Sequence, residues 1–278
     1  MAAWVRHTPR MAFETILIVG CGNMAGAMLR GWRNADAKLP RFAVFDPTKP
    51  ELPSGVVWLP ELPEQGRFDA ILLGIKPQLL ADVTRQIAHL AGPETVVISI
   101  LAGVELATLE GHLPDAGGYL RVMPNLAAAL GKSPLALAEH RLGAQGRRAA
   151  IDLLEPLGTP EWIGEEHFDL ITALAGSGPA FVYRFIEAFG AAAADLGLPA
   201  DTAGRLALAT VEGAAALAAA SQESPAELAR RVTSPGGTTH AGLEALDEGD
   251  ALRILLEKTL RAARDRSAEL GAAARGKG

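Results

Sequence analysis

Two stretches of this chain combine residue types that can do chemistry. Near the C-terminal end the chain reads Ser234-Pro235-Gly236-Gly237-Thr238-Thr239, followed by a helix-like run from Ala241. Glycines open turns that are closed to other residues. A helix that starts just after them aims unpaired N–H groups outward. With three hydroxyls beside those N–H groups, the stretch predicts a cradle for a small anion such as a carboxylate. Near the N-terminal end stands Gly20-Cys21-Gly22-Asn23-Met24-Ala25. It has the form G-x-G-x-x-A, placed between a strand-like run and a helix-like run. In that pattern the first glycine makes the tight turn and the second lets backbone approach a pyrophosphate. The third small residue allows close helix–strand packing. Gly20, Gly22, Asn23, Met24 and Ala25 are therefore candidate dinucleotide contacts. Cys21 also reads plainly as a small buried residue.

Asp46 ends the second strand-like run and is followed by Pro47, Thr48 and Lys49. An acid at this point accepts the ribose hydroxyls of NAD, whereas Thr48 and Lys49 could hold a 2′-phosphate. Asp-Pro is equally a turn starter. The residues leave NADH and NADPH both open. Ile75-Lys76-Pro77, Ala102-Gly103 and Met123-Pro124-Asn125 also fall at strand ends. Ligands of open α/β sheets bind at the carboxyl ends of the strands, so Ile75, Lys76, Pro77, Ala102, Gly103 and Asn125 are candidate cofactor contacts. Turn chemistry alone would account for the same prolines and glycines.

The elements that must position these residues follow from hydrophobic patterning. Strands are expected over 15–19, 42–45, 70–75, 95–101 and 119–123, with 133–138 and 161–163 extending the sheet. Helices are expected over 24–32 and 79–90. Alternation of this kind predicts an α/β Rossmann domain with a mostly parallel sheet. From His167 onward no strand pattern remains. Helices are expected over 168–196, 200–221, 225–232, 239–247 and 251–270. This gives a loose tail over 1–12, a dinucleotide-binding domain over 13–164 and an all-helical domain over 165–278. Residues 181–220 are apolar or alanine on nearly all sides, which calls for burial all round. A few helices cannot bury that surface alone, so a second copy is expected to cover it in an interlocked homodimer. Alanine enrichment by itself is the other reading.

Composition narrows the class. The 278 residues carry a net charge of −6, with 49% hydrophobic and 21% charged residues. That is a soluble globular composition without the basic footprint of a nucleic-acid partner. The single cysteine, Cys21, permits no internal disulfide and points to a reducing, cytoplasmic setting. No apolar run is expected to reach the length of a membrane span. The six histidines are scattered, so no metal site is expected. Gly176-Ser177-Gly178 resembles part of a nucleophile elbow, but it lies in a helical stretch without a base and reads better as close helix packing.

Together these motifs resemble pyrroline-5-carboxylate reductase. The resemblance is carried by Gly20 to Ala25, Ile75 to Gln78, Ser99 to Gly103, Arg121 to Asn125, Thr172 to Ala180 and Val232 to Thr239, in family order. It implies a Rossmann domain and an all-α dimerisation domain, with dimers that assemble further, commonly into decamers. It implies reduction of a cyclic imine carboxylate, 1-pyrroline-5-carboxylate, to L-proline with NADPH or NADH, the final step of proline biosynthesis. On that basis Ser234, Gly236, Gly237, Thr238 and Thr239 hold the substrate carboxylate, and Thr239 stands near the imine nitrogen as the catalytic candidate. Two departures bear on the cofactor. Leu59-Pro60-Glu61-Leu62 lacks an asparagine many relatives carry, and Asp46 replaces small polar residues that receive a 2′-phosphate.

A cyclic imine is basic enough to be partly protonated near neutral pH, so the task left to the protein is orientation, worth up to roughly 7–11 kcal/mol in the best cases. In an interlocked dimer the partner chain would supply the 234–239 stretch. Two rivals stay open. A related Rossmann oxidoreductase of β-hydroxy acids or another imine would want a lysine in 168–194, and there is none. A non-catalytic dinucleotide sensor has no use for an anion cradle.

Overall fold

The computed structural model describes residues 13–35 and 39–275. The tail expected over 1–12 lies outside the described residues. The chain divides into two compact units. One runs to Gly176 and takes in the chain again from Ala263, and the other spans Ser177–Ala262. The last turns of the final helix therefore group with the first unit.

The first unit holds one eight-stranded sheet. In chain order its elements are β1 (Thr15–Val19), α1 (Asn23–Asn34), β2 (Arg41–Phe45), β3 (Val57–Leu59), β4 (Ala70–Leu73) and α2 (Leu80–Ile87). Then come β5 (Val96–Ser99), α3 (Leu106–His112), β6 (Gly118–Met123), β7 (Ser133–His140), α4 (Gly143–Leu154), β8 (Gly158–Trp162) and α5 (Phe168–Ile171). The sheet order is β3-β2-β1-β4-β5-β6-β7-β8. Only β6 and β7 pair antiparallel, so the expected mostly parallel Rossmann sheet is what forms.

The sheet is buried on both faces because alternate residues of each central strand serve different cores. Ile16 and Ile18 join Met28, Leu29 and Trp32 of α1 and Leu153 and Leu154 of α4. Leu17 and Val19 face Leu80 and Ile87 of α2, Leu106 and Leu109 of α3, and Phe168. A strand covered on both sides reads as an unbroken apolar run. Trp32 fixes the first layer: its ring stacks on Phe42 at 4.9 Å and its indole N–H donates to the Leu153 carbonyl at 2.7 Å.

The expected helix over 168–196 is interrupted. α5 gives way to a π turn at Thr172–Gly176, and α6 (Gly178–Asp195) begins after Ser177. The second unit continues with α7 (Ala200–Ala220), α8 (Pro225–Arg231), α9 (Thr238–Asp247) and the start of α10 (Ala251–Arg275). α6 and α7 pack where Gly190 faces Gly204: a Cβ on Gly190 would lie 3.2 Å from the Gly204 Cα. Few residues of either helix are covered. Val182, Phe185, Phe189, Leu206, Leu208 and Leu217 are exposed, Leu217 to 63%. α7 also corrects the sequence reading of membrane spans. By length and composition this 21-residue helix, with an 18-residue window at a mean hydropathy of 1.2, suffices to cross a membrane, because its alanines raise the average without bulky side chains.

Candidate functional site

All the candidate cofactor residues lie in the first unit, on loops that leave the carboxyl ends of β1, β2, β4, β5 and β6. Parallel pairing of β2, β1, β4, β5 and β6 puts those loops along one sheet edge.

The fingerprint turn is the most constrained of them. The Gly20 N–H donates to the Phe45 carbonyl at 2.9 Å, tying the end of β1 to the end of β2. Gly20 has φ +84°, and a Cβ there would lie 2.6 Å from the Ile75 Cγ2. A Cβ on Gly74 would meet the Gly20 carbonyl oxygen at 2.4 Å and the Ala25 Cβ at 3.0 Å. Gly20, Gly74 and Ala25 therefore interlock, and Ala25 is the small residue that lets α1 sit this close to β4. Gly22 differs: nothing lies within 4 Å of the Cβ it lacks. It is the N-cap of α1 and no side chain caps it. The first-turn N–H groups of α1 thus face open space over a residue without a side chain. That is the shape and polarity a pyrophosphate needs. Asn23 is exposed at this start and Met24 is half-buried.

Asp46 is held across the turn. Its Oδ2 accepts the Cys21 N–H at 2.7 Å and its Oδ1 accepts the Thr48 N–H at 2.9 Å. Burial, and then the Asp46 charge, push the Cys21 thiol up to about 11. Burial outweighs the helix N-terminus here, which would act in the opposite direction.

The other candidates take different roles. Ile75 packs against Gly20. Lys76 is exposed and caps a short 3₁₀ turn that Pro77 opens. Ala102 is exposed, but Gly103, at φ +72°, is buried against the C-terminal helix: a Cβ there would come within 2.8 Å of the Gly271 Cα. Asn125 is buried with its amide committed. Oδ1 accepts the Ala127 N–H at 2.9 Å, and Nδ2 donates to the Ala175 carbonyl at 2.9 Å inside the π turn. Its side chain joins the strand-end loop to the π turn, a link that sequence reading missed. Gly176-Ser177-Gly178 marks the break between π turn and α6, and the Gly176 position faces the Met123 sulfur at 3.6 Å.

The substrate candidates lie in the second unit. Gly236 has φ +69°, and the Gly237 N–H donates to the Ser234 carbonyl at 3.0 Å. A Cβ on Gly237 would lie 2.4 Å from the Ser234 Oγ, so the turn closes only around glycine. Gly237 caps α9 without a side-chain bond. Ser234, Gly236, Thr238 and Thr239 are exposed beside it. The unit presents an uncapped helix start with hydroxyls around it.

A cavity of about 650 Å³ opens at the other end of the sheet, among Glu14, Arg41, Arg67, His89 and Glu94. No candidate residue lines it, and the loops at that edge carry no fingerprint. Among the described residues no group of three or more His, Cys, Asp or Glu is placed to hold a metal ion.

The chain is similar to known proteins over most of its length. The sequence profile of pyrroline-5-carboxylate reductase dimerisation matches residues 165–270. The chain is 35% identical over 271 residues to pyrroline-5-carboxylate reductase of Pseudomonas aeruginosa, covering 95% of this chain and 97% of that protein. It is also 35% identical over 269 residues to pyrroline-5-carboxylate reductase 2 of Bacillus subtilis, covering 92% and 95%. Among solved structures, a pyrroline-5-carboxylate reductase of Coxiella burnetii superposes with a TM-score of 0.81 at 29% identity, covering 93% and 98%. The pyrroline carboxylate reductase of Plasmodium falciparum with NADP bound shares the fold, with a TM-score of 0.78 at 24% identity over 94% and 100%.

Proposed function

The chain belongs to the pyrroline-5-carboxylate reductase family, and on that premise we propose the following account of its chemistry. The protein is an oxidoreductase that reduces 1-pyrroline-5-carboxylate to L-proline with NAD(P)H, the final step of proline biosynthesis. The observation that carries this reading is the fingerprint turn, where an open, uncapped helix start at Gly22 stands beside Asp46. Gly20, Gly22, Asn23, Met24 and Ala25 hold the dinucleotide phosphates. Asp46 meets the ribose, and Ile75, Lys76, Pro77, Ala102, Gly103 and Asn125 shape the loops along the same edge. When bound, the nicotinamide supplies a hydride to the imine carbon. Ser234, Gly236, Gly237, Thr238 and Thr239 take the substrate carboxylate through backbone N–H groups and hydroxyls. Thr239 orients the ring nitrogen by one hydrogen bond.

Other readings of the chain rest on the same premise. We take 13–164 as the dinucleotide-binding domain and 165–278 as the dimerisation and substrate domain, supported by the span of the matching dimerisation family. The protein is a homo-oligomer in which a second copy covers the exposed apolar side chains of α6 and α7. Decamers are the proposed higher state. A cytoplasmic enzyme without membrane or nucleic-acid partners fits the net charge of −6 and the single cysteine. The Thr239→Ala substitution tests the catalytic assignment. It should lower kcat/KM for the imine by about tenfold, the worth of one hydrogen bond, and leave the dinucleotide Kd unchanged. Unaltered kinetics would remove Thr239 from the site.

A further inference from the structure

We propose that Asp46 makes this protein select NADH over NADPH. The inference rests on the reading of Gly20 to Ala25 as the dinucleotide turn and adds the choice of cofactor.

An acid at the end of the second strand accepts the ribose hydroxyls of NAD, and a 2′-phosphate would have to occupy the same place. Many acidic side chains could turn aside for it. Asp46 is held. Its Oδ2 accepts the Cys21 N–H at 2.7 Å and its Oδ1 accepts the Thr48 N–H at 2.9 Å, so both oxygens are fixed from opposite sides by backbone. The strand end that carries it is itself tied to the fingerprint, because the Phe45 carbonyl accepts the Gly20 N–H. Swinging the carboxylate away would break two charge-assisted bonds, of which the one to the Cys21 N–H is part-buried. A 2′-phosphate brings close to two further negative charges against a fixed one. The Asp46 charge is felt in the turn, since after burial it is the second cause that raises the Cys21 thiol.

Two nearby groups that could compensate, Thr48 and Lys49, are engaged. The Thr48 N–H, which could have met a phosphate, is already given to Asp46. The Lys49 ammonium lies over the Trp58 ring, 5.4 Å from its centroid. Trp58 is in turn anchored by its indole N–H to the Asp46 carbonyl at 3.3 Å. An arginine of α1, Arg30, also reaches this turn; its charge lowers the Cys21 thiol, but by less than burial and Asp46 raise it.

The test is a titration of the full-length protein with NADH and with NADPH, without imine, followed by nicotinamide fluorescence at two salt concentrations. The wild type should bind NADH at least about tenfold more tightly, and salt should narrow that ratio by screening the repulsion. Asp46→Asn retains an acceptor for the Cys21 N–H and removes the charge. It should bring the two affinities to within about threefold, with no salt dependence left in their ratio. Equal or tighter binding of NADPH by the wild type overturns the proposal, even if Asp46→Asn fails to fold. An Asp46→Asn protein that keeps the wild-type ratio overturns it too. Binding of neither dinucleotide refutes the dinucleotide reading itself.

Discussion

The two glycines of the fingerprint should fail in different ways when substituted. Gly22→Val adds a side chain where nothing lies within 4 Å, at a backbone angle of φ −72° that valine adopts freely. The free protein should lose about 1 kcal/mol or less, the difference between glycine and a poor N-cap. The ligand meets those methyl groups. Overpacking a close contact costs about 1–3 kcal/mol, which corresponds to a roughly 5- to 150-fold rise in the dinucleotide Kd. Gly20→Ala should do the reverse. Its φ of +84° adds about 1–2 kcal/mol of left-handed strain for alanine. Its Cβ would stand 2.6 Å from the Ile75 Cγ2, adding a further 1–3 kcal/mol or so. Thermal denaturation of the ligand-free proteins, paired with NADH titration, separates the two effects. If Gly22→Val binds NADH within twofold of the wild type, the pyrophosphate does not lie over Gly22. If it melts as early as Gly20→Ala, Gly22 is structural.

Further expectations follow from burial and charge. The Cys21 thiol, pushed up to about 11, should resist alkylation at pH 8 in the folded protein and react as the pH approaches that value. The folded state holds this proton more tightly than the unfolded chain does. The stability it contributes is therefore complete below pH 9 and is lost as the pH rises to about 11; denaturant midpoints of wild type and Cys21→Ala across that window should diverge, and parallel curves would refute the assignment. Phe185→Glu on the exposed face of α6, where the Phe185 and Phe189 rings stack at 5.7 Å, should yield monomers by light scattering. An unchanged mass would move the subunit interface elsewhere. Asn125→Ala should cost about 1–3 kcal/mol by orphaning the Ala127 N–H and the Ala175 carbonyl. A melting curve matching the wild type would show that the link is dispensable.

The central strands were legible in the sequence because burial on both faces leaves an unbroken apolar run, as Ile16 to Val19 show. β3 was not, being three residues at the sheet edge with Val57 largely exposed. α4 escaped notice because Gly143, Gly146, Arg147 and Arg148 occupy its first half, and its buried residues come only from Ala149 onward. The π turn inside 168–196 carries no local signal of its own. Gly176, Gly178 and Pro179 mark where the next helix starts, but the π turn before them is pinned by Asn125 from fifty residues away. The chemistry of Gly20 and Gly237 could be read from local pattern, since the turns need glycine there. The partner of Gly103 could not: Gly271 meets it only in the folded chain. Asp46 was legible as a turn or a ribose contact, while its hold on the Cys21 N–H depends on the pairing of β1 with β2.

Purified protein mixed with 1-pyrroline-5-carboxylate and NADH, and separately with NADPH, should show an imine-dependent loss of absorbance at the reduced-nicotinamide band, with one L-proline formed per dinucleotide oxidised. Oxidation of neither dinucleotide, or oxidation without proline, would contradict the account.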